Sequence, residues 1–435
     1  MKISFKLLVF LIIAFGFAQA QAQSTYKKRV LETAEVDFLT SVYTQEGKNA
    51  AVTGGIGNEE LIDFTPTIVV SIPLNADDVL TIDAGISAYT SASSSNVDPF
   101  DGNGAADPFV ESSGASGADA LTSVSINYSH SSDDRNTIWS ANLSASSEYD
   151  YSSIGAGGSL TKLFNEKNTE LSVSGNLYFD SWSLIYPAEL RGPGGGDEDD
   201  FNINNYTITG NPDYDNSLTR FNSSARNSYS MGVVLSQILS KNLQSSFSLD
   251  LVLQDGLLST PFQRVYFSDV DDSFIENFHL ADDIERLPST RFKIAAGSRL
   301  NYYLNEMFVV RTYYRFYNDD WGITSNTASV EIPVKITEKF TLYPSYRFYN
   351  QTEADYFAPY EGHLSTSEFY TSDYDLSNFT ANQYGFGISY TDIFTEMSVG
   401  PVGLKNLDLK YNRYERNSGL TANIISFGAK FILDY

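Results

Sequence analysis

Residues Leu80 to Thr90 read Leu-Thr-Ile-Asp-Ala-Gly-Ile-Ser-Ala-Tyr-Thr, and their alternation decides the fold. Successive strand side chains point to opposite faces. Leu80, Ile82, Ala84, Ile86 and Ala88 therefore share one face; Thr81, Asp83, Gly85, Ser87 and Tyr89 share the other. The same period of two returns at Phe292, Ile294, Ala296, Leu300 and Tyr302, with Arg291, Lys293, Gly297, Arg299 and Asn301 opposite. It returns at the end in Ile425, Phe427, Ala429, Phe431, Leu433 and Tyr435. A half-buried strand has this pattern, and a helix does not.

Working outward, the pattern fills the chain from about residue 33 onward. Short connections alternate with long ones. Turns fall near Asn75–Asp78, Asp133–Asn136, Asn165–Asn168, Ser240–Asn242, Asn305–Glu306 and Thr337–Lys339. Long or acidic stretches fall near 93–118, 186–224, 256–289 and 356–382. This is the signature of an all-β, transmembrane antiparallel β-barrel with short periplasmic turns and long acidic outer loops. The segments predict about 16 strands, within a range of 14 to 18. The competing fold is a secreted β-sandwich or propeller. An apolar face on nearly every strand, running to the last residue, opposes it. In a bilayer only a closed barrel satisfies every strand backbone group.

Residues 1–22 read as a secretory signal peptide. Lys2 and Lys6 precede the apolar run Leu7 to Ala18, and small-x-small patterns predict cleavage after Ala20 or Ala22. Residues 23–435 then form one outer-membrane barrel domain. No later stretch is apolar for long enough to make a transmembrane helix. The final aromatic alternation resembles the strand signal read by outer-membrane assembly machinery, so lipid and that machinery are the expected partners.

Composition excludes much else. The 435 residues hold 54 acids, 28 bases, three histidines and no cysteine, for a formal charge of −26. Disulfides, thiol nucleophiles and cysteine-ligated metals are excluded. Nucleic acid is not an expected partner, since phosphate binding needs clustered Lys and Arg. There is no phosphate loop or nucleophile elbow. An outer-rim hydrolase would have to use His279 or His363, for which surface residues are the default reading, so no enzyme is expected.

If the apolar face meets lipid, the alternate residues face the lumen. Strands 1–9 then place Glu35, Asp37, Asp63, Asp83, Glu148, Asp180 and Asp250 inward. Strands 10–16 place Arg291, Lys293, Arg299, Arg311, Arg315, Lys335, Arg347, Lys410 and Lys430 inward, opposed by Glu331 and Asp408. An acidic wall facing a basic wall resembles the transverse field of general porins. The bland alternative is that these charges pair and close the lumen.

The net charge gathers in the loops. Residues 186–224 carry seven acids and two bases, and residues 255–290 carry eight and two. A solvated, self-repelling outer surface is the simple reading. Calcium is the sharper one, with Asp98, Asp101, Asn103 and Asp107 as oxygen ligands; the stretch lacks the full EF-hand pattern. No other cofactor is expected.

Four stretches resemble a family of outer-membrane proteins known as a domain of unknown function. They are Ala51-Val-Thr-Gly-Gly-Ile-Gly57, Asp63-Phe-Thr-Pro-Thr-Ile-Val-Val-Ser-Ile-Pro73, Ser87-Ala-Tyr-Thr-Ser-Ala-Ser-Ser-Ser95 and Ser113-Gly-Ala-Ser116. Relatives usually have proline after the last motif; Gly117 stands there in this chain. The resemblance implies an outer-membrane barrel without catalytic residues. It also implies an envelope protein partner, in a redox pathway. The leading expectation is a porin-like channel for passive passage of small polar solutes. The alternative is a structural or partner-binding barrel with a loop-filled lumen, serving an envelope redox or assembly pathway.

Overall fold

The computed structural model describes residues 29–90, 119–191 and 206–433. The proposed signal peptide and the candidate calcium ligands lie outside them. Sixteen barrel strands follow in chain order: β1 (Ala34–Glu46), β2 (Leu61–Pro73), β3 (Asp78–Tyr89), β4 (Asp119–Ser131), β5 (Thr137–Ser147), β6 (Tyr151–Phe164), β7 (Thr169–Trp182), β8 (Ala225–Ser240), β9 (Leu243–Gly256), β10 (Thr290–Tyr303), β11 (Val309–Asp319), β12 (Thr324–Glu331, resuming at Val334–Lys335), β13 (Phe340–Leu342, then Ser345–Gln351), β14 (Phe379–Thr391), β15 (Val402–Arg416) and β16 (Thr421–Leu433). Each pairs antiparallel with the next, and β1 pairs with β16 from Ala34↔Leu433 to Glu46↔Thr421. The sheet is therefore closed and has no free edge.

The alternation in the sequence becomes two continuous surfaces. Ile82 lies between Val70 of β2 and Ile126 of β4, and Ala84 lies between Ile68 and Val124. Ile126, Leu143 and Ile154 are 49%, 66% and 67% exposed. Such large apolar side chains form an outward belt that a bilayer would cover. Near the long-loop end, three tyrosines on this face donate to asparagines of the next strand. These are Tyr314 to Asn326 at 2.7 Å, Tyr346 to Asn382 at 2.7 Å and Tyr411 to Asn423 at 2.9 Å. Each pair gives an aromatic ring with a satisfied hydroxyl, which suits a membrane interface. Among the described residues no helix is long and apolar enough to cross a membrane.

Two prolines cut the predicted continuous strands. Pro333 separates the halves of β12 and Pro344 those of β13, because neither has an N–H for the ladder. The register survives the break: Glu331 pairs with Ser345 and Val334 with Leu342. The strand expected over 383–394 is β14, displaced to Phe379–Thr391.

The start of β1, the end of β16 and the short turns share one end. Among the described residues, the loops at the other end do not extend as a solvated fringe. Residues 47–60, 183–191 with 206–224, 257–289 and 352–378 fold together over the mouth. Their core holds Tyr186, Leu190, Tyr266, Ala281 and Ile284, with Leu218, Phe221 and Tyr360 against it. Ile275, Phe278 and Leu280 form a second cluster. Backbone bridges Phe267↔His363 and Arg286↔Tyr370 join two of these loops. We call this assembly the lid.

Candidate functional site

The lid and the lumen beneath it form the candidate site. The loop after β1 lies eight strands from the loop after β9 in a ring of sixteen, so the two start on opposite sides of the mouth. A barrel of this size is roughly 30 Å across. The two loops nevertheless touch. Buried Arg264 donates from Nη1 to the Val52 carbonyl at 3.3 Å and from Nε to Glu189 Oε1 at 2.7 Å. Glu189 is fully buried, so three loops meet at one guanidinium.

Gly54 and Gly55 let the first loop wedge in. Both have positive φ, at 78° and 90°. A Cβ on Gly55 would stand 2.7 Å from the Ser372 carbonyl oxygen, and one on Gly54 2.7 Å from the Tyr266 ring. Only glycine combines that backbone with that approach.

The lid buries acids as well as apolar groups. Glu285 accepts from Thr371 Oγ1 at 2.5 Å and from the Thr260 N–H at 2.6 Å. Burial, with the Asp373 charge nearby, pushes it up to about 8. Burial likewise pushes Asp373 up to about 7 and Asp282 up to about 6. The two lid histidines are not at the surface. His279 and His363 are 3% and 6% exposed, and burial lowers both below the usual imidazole range. His279 Nδ1 lies 2.6 Å from the Tyr360 hydroxyl, and His363 Nε2 donates to the Thr371 carbonyl at 2.9 Å. Among the described residues, neither ring is bonded to a serine hydroxyl.

Below the lid, the register puts Glu35, Asp37, Asp63, Asp83, Asp180 and Asp250 on the same face as Arg291, Lys293, Arg299, Arg311, Arg315, Lys335, Arg347, Lys410 and Lys430. Closure then brings some opposites side by side. Glu35 of β1 binds Lys430 of β16 at 2.9 Å and Lys405 at 2.7 Å, and Asp37 lies 3.3 Å from Lys430. Asp180 binds Arg226 at 2.8 Å, Asp319 binds Arg291 at 2.5 Å, and Glu331 binds Arg311 at 2.9 Å with Lys410 at 3.8 Å. Glu148 lies just past the end of β5, at the rim on the lid side, beside Asp119 and Asp150, and burial raises both Glu148 and Asp150.

Sequence reasoning missed Lys405, Arg226 and Asp319. A bulge between Leu404 and Asn406 breaks the count of two at Lys405. Arg226 and Asp319 sit at strand ends, where alternation gives the weakest signal.

The lumen retains open volume. A cavity of about 770 Å³ is bordered by Arg311, Lys405, Lys410, Lys430, Asn406 and Asp408. One of about 500 Å³ lies against Asp83, Asp180, Tyr151, Tyr178 and a run of serines. The walls differ in length as well as charge. Ser123, Ser125, Ser144, Ser146 and Ser153 keep one side recessed, while arginines and tyrosines project from β10–β13.

Residues 7–418 match the model of a protein family of unknown function, DUF3570. The chain belongs to this family. The DUF3570 barrel has no match among curated proteins. Its solved structural neighbours include a bacterial polysaccharide outer membrane secretin, at 11% identity and TM-score 0.43, covering 92% of this chain and 98% of the other. They also include a deletion mutant of the TodX monoaromatic hydrocarbon channel, at 8% identity and TM-score 0.40, with coverage of 93% and 91%. A BenF-like porin from Pseudomonas fluorescens Pf-5 stands at 8% and 0.40, with coverage of 92% and 98%. The fold of the DUF3570 chain rests on its own strand pairing.

Proposed function

We propose that this DUF3570 protein lies in an outer membrane and passes small polar solutes passively through its barrel. The carrying observation is the open lumen, with cavities of about 770 Å³ and 500 Å³ between polar walls. Barrels of about this strand number leave an aqueous channel where the lumen is not filled by side chains. The charged wall residues act as selectivity elements, and the lid sets access from the outer side. The bilayer covers the apolar belt, and the last strand, with Phe427 and Phe431, engages the assembly machinery. No cofactor or catalysis is part of this reading.

Recording from purified protein in planar bilayers tests it. Stable conductance steps are expected, with and without calcium; the calcium arm also tests the ligands at Asp98, Asp101, Asn103 and Asp107. Silence in every condition, including after the lid is cut, would sink it.

One observation favours a second reading, a barrel that receives an envelope partner. The lid has its own buried core and joins opposite sides of the mouth. That reading expects a lid that stays closed and a co-purifying protein seated on it.

A further inference from the structure

Most inward cations already have an acid. Arg226, Arg291, Arg311, Lys405 and Lys430 each bind one, and Lys293 stands opposite Asp319 in register. Arg299, Arg315 and Arg347 differ. All three are exposed, and among the described residues none of their side chains has an ion pair or hydrogen bond; Lys335, at the short-turn end of β12, shares this.

Their placement is ordered. Arg299 of β10 faces Tyr313 of β11, Tyr313 faces Ser329 of β12, Ser329 faces Arg347 of β13, and Arg347 faces Gln383 of β14. These five residues form one row across five strands. Arg315 is one step further along β11, opposite Gly297 and Thr327. Rows run across strands spaced about 4.8 Å apart, so Arg299 and Arg347 are separated by roughly 14 Å along the wall. Strands in such barrels tilt by roughly 40°, so the row also climbs along the pore, by about 9 Å over that distance. The three guanidinia thus make a staircase rather than a single cluster.

The surroundings keep them available. The Arg299 guanidinium lies 5.0 Å from the Tyr313 ring centre, which steadies it without using its N–H donors. The acid nearest in sequence register, Glu331, is one step from the row and is taken by Arg311 and Lys410. Gln383 and Ser329 add neutral donors to the same row.

We propose that Arg299, Arg315 and Arg347 form a binding track for small solutes that carry an oxyanion, a carboxylate or a phosphate. This rests on the channel reading and names its substrate class. The guanidinium fork matches an oxyanion through two parallel N–H bonds. A solute released by one arginine is within reach of the next, which gives binding weak enough to leave and repeated enough to guide.

Equilibrium titration of the detergent-solubilised full chain tests the track separately from conduction. The probes are succinate, inorganic phosphate and uncharged glycerol. Succinate and phosphate bind the wild type and glycerol does not; R299Q/R315Q/R347Q weakens both anions by roughly tenfold or more. K339Q, which removes a cation at a turn outside the lumen, leaves binding unchanged. R299K/R315K/R347K keeps the charge but loses the fork, so it separates the two anions: phosphate is retained better than succinate if carboxylates are the fitted class. Unchanged heat-shifted gel migration establishes that each variant is folded. No binding of either anion by the wild type, or equal binding by the glutamine variant, overturns the track. Anion binding by a protein that never conducts upholds the track and removes the channel reading alone.

Discussion

Arg264 donates to the Val52 carbonyl at 3.3 Å, joining loops that leave the barrel on opposite sides. Glu189 neutralises that guanidinium in a fully buried site. Glu189→Ala leaves a buried charge unpaired, which costs about 3–5 kcal/mol. Protease cleavage within residues 257–289 is expected to speed up strongly while the barrel stays heat-stable. The double change E189L/R264M restores much of the protection, because no charge is then stranded.

Gly55 makes a second, independent test of the lid. A methyl group there meets the Ser372 carbonyl at 2.7 Å on a backbone at φ 90°. Gly55→Ala is expected to eject the tip of the first loop, at a cost of about 1–3 kcal/mol. Hydrogen exchange at Ala51–Thr53 should rise, with barrel strands unaffected. If the lid limits access, conductance steps in bilayers become larger or more frequent.

The lid should loosen as pH rises. Glu285 is held up to about 8 when folded and titrates near 4.5 when exposed. Its contribution is therefore complete below about 4.5 and is lost as pH rises through 8. Asp373, held up to about 7, acts in the same direction. His279 and His363 are depressed, so they cost stability as pH falls below 6.5. Between 6.5 and 8 the acids act alone. Over that interval Glu285 removes about 2 kcal/mol of lid stability. Protease protection measured across the interval should fall, and Glu285→Gln should flatten the profile.

At the rim, Asp319 organises the β11–β12 hairpin. It binds Arg291, accepts from the Tyr317 hydroxyl at 2.7 Å, and accepts from the Trp321 and Ile323 N–H groups at 3.1 and 3.0 Å. Arg291 also lies 4.3 Å from the Trp321 ring centre. Asp319→Ala strands these donors together and should cost about 3–5 kcal/mol. Trp321 fluorescence should shift to the red, and the thermal midpoint should drop.

The barrel was legible because period two is a local property. Leu80 to Thr90 already separates Ile82 from Asp83, and a bilayer outside with water inside makes that separation an orientation. Register then follows, since slipping by one residue would turn Arg299 and Arg347 toward lipid. The sixteen strands could be read this way, and so could the single face that the three arginines of the proposed track share.

The lid and the ion pairs could not. Val52 and Arg264 are 212 residues apart, and Glu35 and Lys430 are 395 apart. The first contact depends on two loops crossing the mouth, and the second on closure placing β1 against β16. The acidic loops read as self-repelling because charge is counted along the chain, whereas burial is set by what packs around it. Glu189 and Glu285 are buried because Arg264, Thr260 and Thr371 reach them from other parts of the chain. Alternation by itself determined which way each strand faces; only the tertiary structure decided which charges meet, because pairing depends on neighbours that sequence distance does not encode.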